Sequence, residues 1–193
     1  MNAIIALIIA LAIATTFQFY RGRKLNLLLM EQYLNEIESV FNPKEKDYVW
    51  LGGYVGYKAT YGKIHTTLTL LPRQSLLYLP ISLITSRHDK LYVVIKLNKP
   101  LNETHLIQKR YYRIKPKIFL KRKSVQINNT EFECFYSDKK TSELLIDVVN
   151  SMPKPKNIKH IGISDSVYVL MKPEPKIVAE SLKVLVNKFR IEI

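Results

Sequence analysis

"AIIALIIALAIATTFQFYRGRKLNLLLMEQYLNEIESVF", residues 3–41, changes character twice, and the architecture follows from where it does so. Residues 3–14 are an unbroken apolar run, and "TTFQFY" carries it to Tyr20 before the first charge. A helix over residues 2–20 rises about 28 Å at about 1.5 Å per residue, enough to cross the hydrocarbon of a bilayer. Phe17, Phe19 and Tyr20 then fall at the headgroup level that amphipathic rings favour. Arg21, Arg23 and Lys24 follow at once as a juxtamembrane charge anchor. Ala12, Ile13 and Ala14 also form an A-x-A cleavage pattern after a short apolar region. Two features oppose that reading: no Lys or Arg precedes the run, and the basic cluster after it would have to be translocated. The expectation is an uncleaved single-pass anchor in the cell membrane, N-terminus outside and everything from Arg21 onward in the cytoplasm. The sequons at Asn102 and Asn128 are then expected to stay unmodified.

Beyond the basic cluster, Leu27, Met30, Leu34, Ile37 and Phe41 recur at three- and four-residue steps, with Glu31, Gln32, Asn35, Glu36 and Glu38 mostly elsewhere on the wheel. This spacing predicts an amphipathic helix leading straight out of the membrane and ended by Asn42 and Pro43. The expected organisation is an anchor over 1–20, a juxtamembrane helix over 21–42 and one compact cytoplasmic domain over 43–193.

That domain reads as α+β, with antiparallel strands and packed helices. Aromatic and β-branched residues broken by glycines predict a hairpin between Tyr48 and Leu71, turning near Tyr61 and Gly62. The apolar run from Leu76 to Ile84 reads first as a core helix over a sheet. Its alternative is a membrane-touching, client or translocon contact through Leu76, Leu77, Leu79 and Ile81. "KLYVVIKL" (90–97) reads as a buried strand. A hairpin at Asn128 and Asn129, a strand over 132–136, a helix over 141–150, the loop "PKPKNIKH" (153–160), a strand over 167–171 and a helix over 175–190 complete the chain.

The 193 residues carry thirty Lys and Arg against sixteen Asp and Glu, a net charge of +14, so an anionic partner is the first expectation. A generally Lys-rich composition is the bland alternative. "KRYYRIKPKIFLKRK" (109–123) concentrates the charge: Lys109, Arg110, Arg113, Lys115, Lys117, Lys121, Arg122 and Lys123, with no carboxylate among them. Tyr112, Ile114, Ile118 and Leu120 alternate with Arg113, Lys115, Lys117 and Lys121 at strand period, predicting a strand with one cationic face. Tyr111 and Tyr112, with Phe119, supply rings that can stack on unpaired bases.

Signs of catalysis are few. His65, His88, His105 and His160 are scattered without metal-ligand spacing, so no metal and no cofactor are expected. "GGYVG" (52–56) does not lead from a strand into a helix as a phosphate loop does. The single Cys134 sits in an apolar strand-like run and reads as a core residue in a reducing compartment. No serine elbow and no marked carboxylate pair appears, and no small-molecule substrate is indicated, so the chain reads as a non-enzyme.

"GRKLNLLLMEQYLNEIESVF" followed by "GYVGYKATYGKIHTTLTLLPRQSLLYLPISLITSRHDKLYVVIKLN" resembles, in order and spacing over residues 20–98, the cytosolic core of the calumin family. These are coiled-coil-containing single-pass membrane proteins of the PAT complex. The resemblance implies a non-enzymatic partner of the Sec translocon and the large ribosomal subunit that helps multi-pass membrane proteins insert and fold. Calumin has an acidic luminal region before its membrane segment and a long basic coiled-coil tail associated with ribosome contact, and residues 1–193 show neither. Ribosome contact is therefore expected from the domain itself, through residues 109–123 on rRNA. The alternative partner for the same cations is the anionic membrane surface, which would make the protein an adaptor or scaffold.

Overall fold

The computed structural model of the chain describes residues 2–112 and 116–191. The two readings of the opening stretch join in a single unbroken helix, α1, Asn2–Phe41, long and apolar enough in its first half to cross a membrane. Residues 3–17 are all exposed. From there the helix becomes a core element: Gly22, Asn26, Met30, Tyr33, Ile37 and Phe41 form the buried stripe. This stripe differs from the expected one. Leu27 is exposed and Leu34 half-buried, while Asn26 and Tyr33 face inward because they have polar partners there.

The rest of the domain is one nine-stranded antiparallel sheet with helices on its inner face, an α+β fold. In chain order come β1 (Asp47–Trp50), β2 (Gly56–Tyr61), β3 (Ile64–Thr69), α2 (Tyr78–Thr85), β4 (Lys90–Lys96), β5 (Thr104–Gln108), β6 (Lys121–Ile127), β7 (Thr130–Tyr136), α3 (Lys139–Asn150), β8 (Ile158–Ile163), β9 (Ser166–Met171) and α4 (Ile177–Phe189). Their order in the sheet is β1-β2-β3-β4-β9-β8-β5-β7-β6. The β8–β9 pair thus inserts between β4 and β5, and β1 and β6 form the two edges.

Local chemistry explains the turns. Asn128 and Asn129 both adopt positive φ, as a two-residue hairpin loop between Ile127 and Thr130 requires. Gly56 has φ +155°, and a Cβ there would lie 2.0 Å from the Leu68 carbonyl oxygen, so close backbone packing explains this glycine. Asp138 caps α3 by accepting from the Thr141 N–H at 3.0 Å. The cap of α4 comes from another element: the Glu36 carboxylate of α1 accepts from the N–H groups of Lys176 (2.7 Å) and Ala179 (3.3 Å). Glu36 is therefore no solvent-side residue but a bolt between two helices.

The core lies between the sheet's inner face (Leu68, Leu91, Val93, Leu106, Ile161, Val169 and Phe132 among others) and the buried sides of α1, α3 and α4. Fully burying a side chain of this size contributes about 1.5–3 kcal/mol, so this layer dominates the stability.

Two expectations fail here. The cationic strand does not form: residues 111, 112 and 116–120 are irregular, and regular pairing starts only at Lys121 opposite Tyr136. An edge strand tolerates Pro116, but β7 ends at Tyr136 opposite Lys121 and offers the residues before it no partner. Arg113, Ile114 and Lys115 lie outside the described residues. The apolar helix α2 is not a core helix either, since none of its residues is buried. The inner face is already occupied by α1, α3 and α4, and α2 belongs to the connection between β3 and β4. The hairpin expected between Tyr48 and Leu71 gains a third strand, β1, and the loop at 153–160 becomes a 3-10 turn (Pro155–Asn157) leading into β8.

Candidate functional site

Two places in the fold gather polar side chains with shared geometry. The first is the junction where α1 passes from its exposed apolar half into the domain. Gln18 Nε2 donates to the Arg73 carbonyl at 2.7 Å. A Cβ on Gly22 would lie 2.1 Å from the same oxygen, so only glycine lets the 73–74 backbone rest on the helix. Four residues on, the fully buried Asn26 donates through Nδ2 to the carbonyls of Tyr54 (2.8 Å) and Leu71 (2.9 Å). Its Oδ1 accepts from Arg73 Nη1 at 3.0 Å. Arg73 in turn pairs in bidentate fashion with Asp89 (3.0 and 2.7 Å), whose carboxylate also accepts the Leu71 N–H. Arg23 of the expected charge anchor lies 4.4 Å over the Tyr54 ring, and Phe19 and Trp50 meet that ring edge-on. Arg21 and Lys24 point to solvent.

The second place is the outer face of the sheet. A cleft of about 580 Å³ runs between the end of α2 and strands β4, β9 and β5. Arg87, Lys90, Lys109, Arg110 and Lys159 line it together with Tyr92, Tyr111, Tyr112 and Tyr168; no carboxylate is among the described lining residues. Tyr111 stacks on His88 at 6.0 Å between ring centres, fixing residues 109–112 against the end of α2. Lys159 is half-buried and its ammonium donates to Gln108 Oε1 and the Lys156 carbonyl. Burial, then the neighbouring Lys172, pushes its pKa down to about 8.

Beneath this cleft, side chains far apart in sequence form a chain of hydrogen bonds. Tyr112 Oη lies 3.0 Å from His160 Nδ1, His160 Nε2 lies 3.2 Å from His105 Nδ1, and His105 Nε2 lies 3.1 Å from Glu103. Gly162, paired with His105 across the ladder, leaves room for that imidazole. Burial, then His105, pushes the His160 pKa down to about 4, so it stays neutral near pH 7. The chain positions the Tyr112 ring. Among the described residues no group of three His, Cys, Asp or Glu side chains is arranged to hold a metal ion.

The basic stretch itself is divided. Lys109 and Arg110 sit at the cleft, and Lys109 is paired with Glu131. Lys121, Arg122 and Lys123 open the edge strand β6. Arg122 pairs with Glu133 and lies over the Phe135 ring, while Lys123 donates to Ser142 and lies over the Tyr136 ring. Lys117 and Lys121 are exposed, and between them Phe119 is 95% exposed. Arg113 and Lys115 lie outside the described residues. Tyr111 and Tyr112, expected as stacking platforms, are half-buried and already have ring partners; the ring left open is Phe119. Of the expected apolar contact, Leu76, Leu77 and Ile81 are exposed and Leu79 is half-buried. No family model matches the chain, and no curated protein matches it in sequence.

Proposed function

We propose that this protein is a membrane-anchored, non-enzymatic factor that works beside a Sec translocon and the large ribosomal subunit, assisting membrane-protein insertion or folding. Its first twenty residues cross the membrane with the N-terminus outside, and the α+β domain stands in the cytoplasm with a cationic surface toward rRNA. The observation that carries this reading is Phe119, an almost fully exposed ring between Lys117 and Lys121. It leads into the sheet edge opposite the strand beside the anchor junction. Cations that meet phosphates and a ring that stacks on an unpaired base are the elements of sequence-tolerant RNA contact. The resemblance of residues 20–98 to the calumin family is the other ground for this reading.

The test is sedimentation of the detergent-solubilised chain with purified large ribosomal subunits and, in parallel, with anionic vesicles, across a salt series. Saturable ribosome binding near physiological salt is expected, falling steeply as salt rises. Replacing Phe119 with Ala, or Lys117 and Lys121 with Glu, should weaken it. Binding to vesicles alone would refute the ribosome reading.

A second reading, docking on anionic lipid, is favoured by one observation. Lys109 and Arg110 share the cleft with Arg87 and Lys90, next to α2 and toward the end of the sheet where the apolar half of α1 departs. Each such cation near an anionic surface adds about 1 kcal/mol, and this attraction follows charge rather than aromatic identity.

A further inference from the structure

The sequence between Ser75 and Thr85 contains no charged residue, and the helix within it, α2, buries none of its side chains against the domain. Leu77 is 77% exposed, Tyr78 67% and Ile81 56%. The strand β1 and the turn after it also expose Trp50 and Leu51, and Gln74, just before α2, donates to the Gly53 carbonyl in that turn. Apolar side chains exposed in this number on a folded domain mark a contact with something apolar.

The anchor junction says what that is. The chain entering α2 is fixed to α1 at Gln18 and Gly22, through the Arg73 carbonyl and the 73–74 backbone. Gln18 lies inside the apolar run that ends at Tyr20, so this contact is made at the level where α1 leaves the hydrocarbon. Tyr78 is four residues beyond Gln74 and cannot be more than about 14 Å from it. Trp50 reaches the same level by another route, through the Tyr54 ring to Phe19 and Arg23 of α1. Both apolar elements are therefore held at the membrane boundary by contacts within the domain. Their composition suits that boundary: a Trp and a Tyr, leucines and isoleucine, and an exposed arginine at 87 just beyond α2.

We propose that α2 and the β1–β2 turn form a second membrane-contacting element, lying in the interfacial layer of the leaflet from which α1 emerges. The occupant of this apolar surface is the bilayer itself. The domain is then held at two places, by a span and by a surface-lying helix beside it, and its orientation to the membrane is fixed. This inference rests on the reading of residues 3–20 as a membrane span.

Trp50 is the sole tryptophan, so its fluorescence reports on the surface directly. The experiment uses the whole chain reconstituted into phosphatidylcholine vesicles, with and without lipids brominated high on the acyl chain, and iodide as the aqueous quencher. The expected result is at least about twofold quenching of Trp50 by brominated lipid and little by iodide. The Tyr78→Trp variant in a Trp50→Phe background should behave the same way. Leu77→Glu with Ile81→Glu, both exposed and so harmless to the fold, should lower the lipid quenching of Trp50 at least about twofold by lifting the element from the interface. Tryptophans at positions 50 and 78 quenched by iodide and not by lipid, in vesicles whose protein resists alkaline extraction, would overturn the inference while leaving the span intact. Release of the protein by alkali would overturn the span, and the inference with it.

Discussion

Asn26 is the polar centre of the anchor junction, and replacing it with leucine tests whether the junction is built as described. The side chains are similar in size, so the change removes hydrogen bonds without opening a cavity. Not every partner is orphaned. The Leu71 carbonyl keeps the Arg73 N–H at 2.8 Å, and Arg73 Nη1 keeps Asp89. The Tyr54 carbonyl, in contrast, has no other partner among the described residues. Burying it unpaired costs about 1–3 kcal/mol, and the lost bonds to Leu71 and Arg73 about 1 kcal/mol each; the long 3.3 Å bond to Gln74 Oε1 shares the same Nδ2 and adds little. Better helix propensity returns about 0.4 kcal/mol. The expected destabilisation is about 2.6–4.6 kcal/mol, or about 5–18 °C in Tm for a chain of this size. The assay is thermal unfolding of the full chain in detergent micelles, followed by near-UV circular dichroism, which reads the domain and not the solubilised apolar half of α1. Asn35→Ala, an exposed change on the same helix, is the control and should leave Tm within about 2 °C. An Asn26→Leu shift as small as the control would refute the junction as a hydrogen-bonded unit.

The bolt between α1 and α4 predicts that Glu36→Ala costs about 1–2 kcal/mol and speeds hydrogen exchange of the Lys176 and Ala179 amides above their neighbours; unchanged exchange would exclude the cap. For His160, burial and His105 hold the folded pKa near 4, below the 6.5 of a free imidazole, so the unfolded chain takes up the proton first. Its contribution is full above pH 6.5 and is lost as the pH falls toward 4. Between pH 7 and 5 the loss is about 2 kcal/mol, and His160→Gln should flatten that part of a urea-stability profile. The depressed carboxylates Glu38, Glu131, Asp138, Asp165 and Glu174 lose their contributions in the same direction but only below about pH 4.5, outside that window, whereas His88, which burial also holds below the ordinary value, contributes within it and keeps doing so in the variant. Cys134 is fully buried and burial raises its thiol pKa; it should react with an aromatic disulfide reagent only as fast as the domain unfolds, and rapid native labelling would contradict its place in the core.

Much of the fold was legible because its signals are local. The helix α1, the β2–β3 and β6–β7 hairpins, β4, α3 and α4 announce themselves by periodicity and turn residues. The strands β5 and β8 do not: "THLIQ" and "IKHIGI" are short, carry polar residues and owe their extended state to each other and to distant neighbours. The alternation before Lys121 builds no strand because its partner β7 ends at Tyr136, opposite Lys121, and leaves the earlier residues nothing to pair with. The apolar character of residues 76–84 was plain, but periodicity does not say whether protein or lipid covers a helix. The chain from Tyr112 through His160 to His105 was invisible for a different reason. His105 and His160 are 55 positions apart and meet only because β8 inserts beside β5. Its trace in the sequence is Gly162, the small residue that makes room.

Because α1 runs without a break from the apolar segment into the core, no hinge separates the half long and apolar enough to span a bilayer from the half that carries the sheet. A helix whose apolar length exceeds the local hydrocarbon thickness tilts, and here the whole domain would tilt with it as one lever. In a thin bilayer and a thick one the same protein would hold its far sheet edge at different heights above the lipid. Bilayer thickness then becomes a mechanical input to whatever that edge touches.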